Sequence, residues 1–460
     1  MDDKLGELKK NTLIIAISNI GSRAILFMLA PLYSYFLSKS QYGTMDLITT
    51  TVSLLGPLFC LDIYEATFRF ASDSEEEKKT VYSSSMAVCF LGLLMGLVVI
   101  AVSSAVGKGS NLIVFTVLFT VLTVLNNVMS QFARGQGAMK TFALSGIVNA
   151  IFLLASNVVF LYFLHMELRG WLLSYFIAKI ITFLYLFWRT DFIHSCSVKY
   201  VDKSCIRRML RYCIPLMPTA IMWWIMNMSD RYMLTFFLGT AVTGVYAVAG
   251  KIPSILSVFE NIFYQAWQTT AIKSLMDKNR EALYSDVLGK YIEAIALGCV
   301  MILIVLRPFI EFLFAEPYHP ATGPAPILVL CIAVHAVAGN LGALYTVFKV
   351  TRGALFTSCV GAAVNIGLNL IFIPRYGMVG AALTTIIGYT VTLILRWFDI
   401  RRFAKLHLNA ARIVPALLVL LVQFALYYNS SVWSYLIRCL IAAVFLFIER
   451  GFLLSLLRRR

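Results

Sequence analysis

Residues 207–251 read RRMLRYCIPLMPTAIMWWIMNMSDRYMLTFFLGTAVTGVYAVAGK. Arginines lead into an apolar run from Ile214 to Leu238 that is broken at Asn227, Asp230 and Arg231. A helix crosses about 30 Å of hydrocarbon with roughly 20 residues, so the run predicts a membrane span with Asp230 and Arg231 well inside it. A charge at that depth costs about 2.5 to 3.5 kcal/mol even on the lenient insertion scale. Two questions follow: what surrounds this span, and what its buried charges do.

Composition answers the first in outline. Apolar residues make up 60% of the chain and charged ones 13%, against roughly 45 to 50% apolar in soluble domains. This is the balance of an all-α integral membrane protein. A net charge of +16 would suit a nucleic-acid binder if it were gathered on a soluble face, but no segment is long enough to build one. No nucleic-acid partner is expected.

Hydropathy predicts fourteen helices. The first six fall at about 12–36, 41–67, 81–106, 111–132, 142–164 and 170–188. The next six fall at about 214–238, 244–272, 284–306, 325–348, 353–373 and 378–398, and two more at 412–428 and 431–449. This gives a six-helix bundle over 1–190, a linker over 191–213, a second bundle over 214–400, and two further helices with a basic tail over 401–460. The segment RPFIEFLFAEPYHPATGPAP, 307–326, holds five prolines, which exclude one continuous helix. It is expected to form a loop or a partly re-entrant turn.

Charge distribution gives the orientation. With an even number of spans both termini share a side, and 28 of the 39 Lys and Arg fall in loops on that side, Arg396 among them. Five (Lys39, Lys108, Arg169, Arg307 and Arg375) fall on the other. The positive-inside rule then makes both termini cytoplasmic. The start, MDDKLGELKKN, lacks the short apolar core and cleavage site of a removable signal. None of the nine cysteines lies in an expected external loop, so no disulfide is predicted. Cys196 and Cys205 stand without a second pair, which argues against a zinc site.

The halves share a local pattern. Phe36-Leu37 followed by Gly43 recurs as Phe237-Leu238 followed by Gly244, and Asn149 in the fifth helix of one half has a counterpart in Asn365. A repeat whose halves start from the same side predicts a pseudo-two-fold axis along the membrane normal, with a substrate site between the halves near the midplane.

The stretch RYCIPLMPTAIMWWIMNMSDRYMLTFFLGTAVTGVYAVAGKI, 211–252, resembles the seventh-helix signature of the bacterial polysaccharide flippases, which handle O-antigen and capsule repeat units. In that family a basic residue and LP open the helix, SDRYML crosses it, and an LG…GVY…A.KI pattern starts the next. The family is related to multidrug antiporters and to lipid-linked peptidoglycan-precursor flippases. The resemblance implies an oligosaccharide repeat unit on undecaprenyl pyrophosphate, moved from the inner to the outer leaflet by alternating access. The polyprenyl tail would stay in the bilayer, bordered by the last two helices. It also implies a place in a bacterial inner membrane beside a polysaccharide polymerase and glycosyltransferases.

Six Lys and Arg remain within spans. Lys290 and Arg438 lie near enough to span ends to snorkel. Arg23, Lys179, Arg231 and Lys251 are the candidate substrate-binding residues, since cations in a low-dielectric cavity compensate a pyrophosphate. Asp46, Asp230 and Glu260 are candidates for ion coupling or for simple pairing with those cations. Asp62 and Glu65, near helix ends, are expected to cap or pair. Tyr232, Tyr246, Tyr264 and Trp267 are placed to stack on sugars, although interfacial aromatics are ordinary anchors. Asn19, Asn227, Asn261, Gln265 and Gln268 suit either sugar hydroxyls or helix association.

The alternatives are a flippase of another lipid-linked cell-wall precursor and two other classes of protein. An antiporter of organic cations on the same fold requires acids to dominate the cavity, and here the deep bases at least equal them. A membrane transferase requires paired carboxylates with His, a metal cluster or a phosphate-cradling loop, and none is apparent. No cofactor or metal is expected.

Overall fold

A computed structural model describes residues 21–73, 76–106, 110–215, 217–348, 350–429 and 431–448. Residues 12–20 of the expected first span, Asn19, Lys108 and the basic tail lie outside the described residues, as does the side chain of Gln265. The described chain is helical, without strands. It divides into two compact units, Met1–Ile221 and Met222–Arg460.

The first unit opens with α1 (21–36). There follow α2 (Lys39–Cys60), α3 (Ile63–Ala71), α4 (Lys78–Ala105) and α5 (Asn111–Gly135). Next come α6 (Met139–Asn157), extended by a π-turn over Val158–Phe163, and α7 (Glu167–Arg189). The short α8 (Phe192–Ser195) and α9 (Lys203–Cys213) form the linker, and α10 (Met217–Leu238) follows it.

The second unit holds most of α10, then α11 (Thr240–Ala249), α12 (Ser254–Lys273), α13 (Arg280–Leu313) and α14 (Ala325–Val347). It closes with α15 (Thr351–Ile400), α16 (Ala410–Tyr427) and α17 (Val432–Ile448). Among the described residues nine helices are long and apolar enough to cross a membrane, or ten if α11 and α12 form one bent span. Adding α1, α10, α17 and the second limb of α15 recovers the fourteen expected positions. Outward rows such as Leu94, Leu97 and Val98 on α4 are exposed. A soluble protein would not leave so large an apolar surface bare, and lipid covers it. This is a multi-pass membrane protein.

Three boundaries differ from expectation, each for a local reason, and a fourth break falls where it was expected. The second span breaks at Leu61 and Asp62, which take positive φ of 52° and 58°. The eighth breaks between Ala249 and Ser254, where Pro253 removes a backbone donor, and the two pieces meet at 57°. α13 runs through Arg307 and Pro308 to Leu313, and Arg307 pairs with Glu311 one turn on. A 3₁₀ turn over Glu316–Thr322 then leads into α14. Gly377, with φ 58° and ψ −135°, separates the two limbs of α15. Only glycine occupies that region without strain.

Packing follows the rule for membrane interiors, where small residues let backbones approach. A Cβ at Gly92 of α4 would collide with the Phe59 carbonyl of α2, and one at Gly361 would collide with Thr392. In the first unit the linker helix belongs to the core. Cys205, Met209 and Cys213, one per turn, are buried among Ile63, Val81 and Phe132. Asp202 caps α9 by accepting from the Ser204 and Cys205 amides, and Arg208 pairs with Glu76.

Candidate functional site

In the first unit the deep cation Lys179 sits on α7 with one wall of a cavity of about 210 Å³. α5 contributes Asn126, Asn127 and Ser130, α6 contributes Ser145 and Asn149, and α7 adds Thr182. The amide of Asn126 donates to the Lys179 carbonyl at 3.0 Å, which ties α5 to α7. The Lys179 ammonium makes no ion pair or hydrogen bond with a described residue. The Oδ1 atoms of Asn126 and Asn149 are buried and also lack partners. A half-buried ammonium among amides and hydroxyls, with no carboxylate, is a seat for an anion or a polyhydroxylated group. Asn149 entered the sequence reading only as a repeat echo, yet it lines the same wall.

Elsewhere in this unit the expected residues are not drawn to that pocket. Arg23 is exposed on α1, and Asp46 is buried in the middle of α2. Asp62, expected to cap or pair, occupies the N-cap of α3 without a side-chain cap bond.

In the second unit Asp230 is 4% exposed. Its Oδ2 accepts from the Tyr246 hydroxyl at 2.6 Å, and its Oδ1 from the Arg231 amide at 2.9 Å. The Arg231 guanidinium turns back along α10 and donates to the Asn227 carbonyl at 3.2 Å. Lys251 lies in the break between α11 and α12. There the C-terminal end of the α11 dipole favours a positive charge. Glu260 is 8% exposed, and its Oε1 stands 2.7 Å from Nδ1 of His335 on α14. Edge-on aromatic contacts hold the imidazole, with Trp223 at 4.8 Å and Tyr389 at 5.0 Å.

Two arginines correct the topological reading. Arg396, assigned above to a terminal-side loop, is 2% exposed inside the second limb of α15. It donates to the Ala338 carbonyl at 2.7 Å, to Ser358 Oγ at 3.0 Å and to Thr357 Oγ1 at 3.3 Å, and it lies over Trp223 at 4.9 Å. Gly342 leaves room for it. Arg438, expected to snorkel, is buried against the Leu303 carbonyl, Gln423 and the Tyr427 ring. Lys290 does reach outward, to Asp286 at 2.6 Å. The sequence reading missed His335, Tyr389 and Arg396 as site residues. A single His in an apolar run usually signals only a satisfied core side chain.

The same unit carries an apolar groove of about 790 Å³. Ile295 of α13, Val337 of α14, Trp397 of α15 and Leu417 of α16 line it, and α17 does not contribute.

Residues 8–268, more than half of the chain, match the family described as polysaccharide biosynthesis protein. The chain belongs to that family. That description places the chain in polysaccharide biosynthesis. An uncharacterized membrane protein of Methanocaldococcus jannaschii is 22% identical over 423 residues, covering 86% of this chain and 99% of its own. Among solved structures, the lipid II flippase MurJ in an inward closed conformation aligns with a TM-score of 0.69 at 16% identity. It covers 97% of this chain and 100% of its own. An inward-facing multidrug resistance transporter of the MATE family aligns with a TM-score of 0.67 at 12% identity, covering 83% and 95%. At these identities the likeness carries the fold, and this family member shares it along nearly its whole length.

Proposed function

We propose that the protein flips an undecaprenyl-pyrophosphate-linked oligosaccharide repeat unit from the inner to the outer leaflet of a bacterial cytoplasmic membrane, by alternating access. Both termini would be cytoplasmic, and the cargo would serve surface polysaccharide such as O-antigen or capsule. The observation that carries this reading is Lys179, whose ammonium faces a polar cavity without a carboxylate to neutralise it. Such a group attracts phosphate, and the amides of Asn126, Asn127 and Asn149 suit sugar hydroxyls. Arg231, Lys251 and the more exposed Arg23 add positive charge in this reading, with Asp46, Asp230 and Glu260 as pairing or coupling acids. The apolar groove beside α16 fits a polyprenyl tail, with α16 rather than α17 as its border. A polymerase and glycosyltransferases would be its working partners.

Organic-cation antiport is the second reading, favoured by the buried carboxylates Asp230 and Glu260. Deletion distinguishes the two. Under the first reading cells lacking the protein accumulate lipid-linked oligosaccharide and lose surface glycan, and Lys179→Ala at matched membrane level does not restore it. Normal glycan together with increased sensitivity to cationic drugs would overturn the first reading in favour of the second.

A further inference from the structure

Glu260 and His335 stand apart from the other buried polar groups of the second unit. Arg396 satisfies its donors on a carbonyl and two hydroxyls, and Tyr389 donates to Asn227 Oδ1 at 2.6 Å. Among the described residues Glu260 and His335 have only each other as hydrogen-bonding or ionic partners. The imidazole Nδ1 is 2.7 Å from the carboxylate, and its Nε2 makes no hydrogen bond with a described residue. Gly339, one turn after His335, keeps space for the carboxylate, since a Cβ there would stand 3.3 Å from Glu260 Oε1. Isolated ionised groups are costly at such depth, whereas a carboxylate and an imidazole sharing one proton are jointly neutral.

We propose that Glu260 and His335 form the site at which this transporter binds and releases one proton during its cycle. The coupling half of this proposal rests on the transport reading above. The proton-binding half does not. Loading adds one proton and one positive charge to the couple, and release returns both to water. No bond between heavy atoms forms or breaks. A metal ion is a poorer occupant, because no group of three His, Cys, Asp or Glu occurs among the described residues. The titratable groups facing the couple are Tyr291 on α13 and Tyr389 on α15, and Tyr389 is faced in turn by Cys331 on α14 and by Asp230 and Arg231 on α10. Phenols and guanidinium groups ordinarily hold one charge state near neutral pH. Asp230 already accepts from Tyr246 and the Arg231 amide. Imidazole is the group whose ordinary titration falls in the physiological range.

Trp223 supplies the test, since its ring is 4.8 Å from the imidazole and an imidazolium quenches indole emission. The full chain is purified in detergent, and emission is titrated against pH as the difference between the native protein and Trp223→Phe. A one-proton transition is expected, absent in His335→Asn and displaced in Glu260→Gln. No transition, or one unchanged in His335→Asn, overturns the site. In proteoliposomes holding a fluorescent undecaprenyl-pyrophosphate disaccharide, an imposed pH gradient is expected to change the flip rate several-fold. Both variants should lose that dependence. Flipping by the native protein that ignores the gradient overturns coupling. Failure to move the probe at all counts against the cargo reading, and the emission titration still decides the site.

Discussion

The Tyr246 hydroxyl and the Asp230 carboxylate, 2.6 Å apart, join α11 to the middle of α10. The carboxylate has given up water for this bond, so its partner matters more than a surface hydroxyl would. Tyr246→Phe deletes one oxygen and leaves the acceptor short. The expected loss is about 1 to 3 kcal/mol, read as a lower melting midpoint in detergent. An unchanged midpoint would mean that the bond contributes nothing net.

Arg396 should be irreplaceable by lysine. Its planar fork reaches Ala338, Thr357 and Ser358 together, and an ammonium cannot copy that geometry. Arg396→Leu strips the Ala338 carbonyl of its guanidinium donor and opens a void beside Gly342, at an expected cost of about 2 to 4 kcal/mol. Arg396→Lys should recover less than half of it in the same denaturation assay. Full recovery would show that charge alone is needed.

Gly377 is the backbone joint of α15. At φ 58° and ψ −135° an alanine is strained by about 1 to 3 kcal/mol. Crowding is not the cause, because the added Cβ would meet only Leu238 at an ordinary 3.7 Å. Gly377→Ala is expected to lower thermal stability by that amount, while Gly367→Ala, in open space within the first limb, should not.

The linker helix carries its own pH dependence. The Ser204 and Cys205 amides, and then Arg208, hold the Asp202 carboxyl below the usual carboxylate range. A carboxyl lowered in the folded state contributes stability that is present above its unfolded value, near 3.9. That contribution is lost as pH falls through the lower folded value. Hydrogen exchange across 203–213, corrected for the intrinsic rate, should therefore quicken as pH drops below about 4. Asp202→Ala should exchange quickly at every pH. Equal protection of the variant and the native chain at neutral pH would count against the cap.

Much of the architecture was legible in the chain. Long apolar runs located the segments, and the prolines of 307–326 rightly forbade a single helix. Arg396 was misread because hydropathy sees only the end of an apolar run, whereas its burial depends on Ala338 and Gly342 approaching from another helix. The interruption at Gly250–Pro253 was hidden for a related reason. The flanking residues are apolar on both sides, and an average over them does not register a change of direction. Lys179 could be singled out by depth, but its companions on α5 and α6 come from distant sequence. No spacing rule connects Asn126 and Asn149 to it.

Arg438 grips the Leu303 carbonyl through its guanidinium, and Gln423 grips Arg438 in turn. The last two helices are thereby latched to α13 inside the second unit. Cutting the gene after residue 400 would consequently not leave a self-sufficient twelve-helix protein. It would strip one wall from the apolar groove and leave a mid-helix carbonyl facing oil, so such a shortened product should be cleared by cellular proteases before it reaches working abundance.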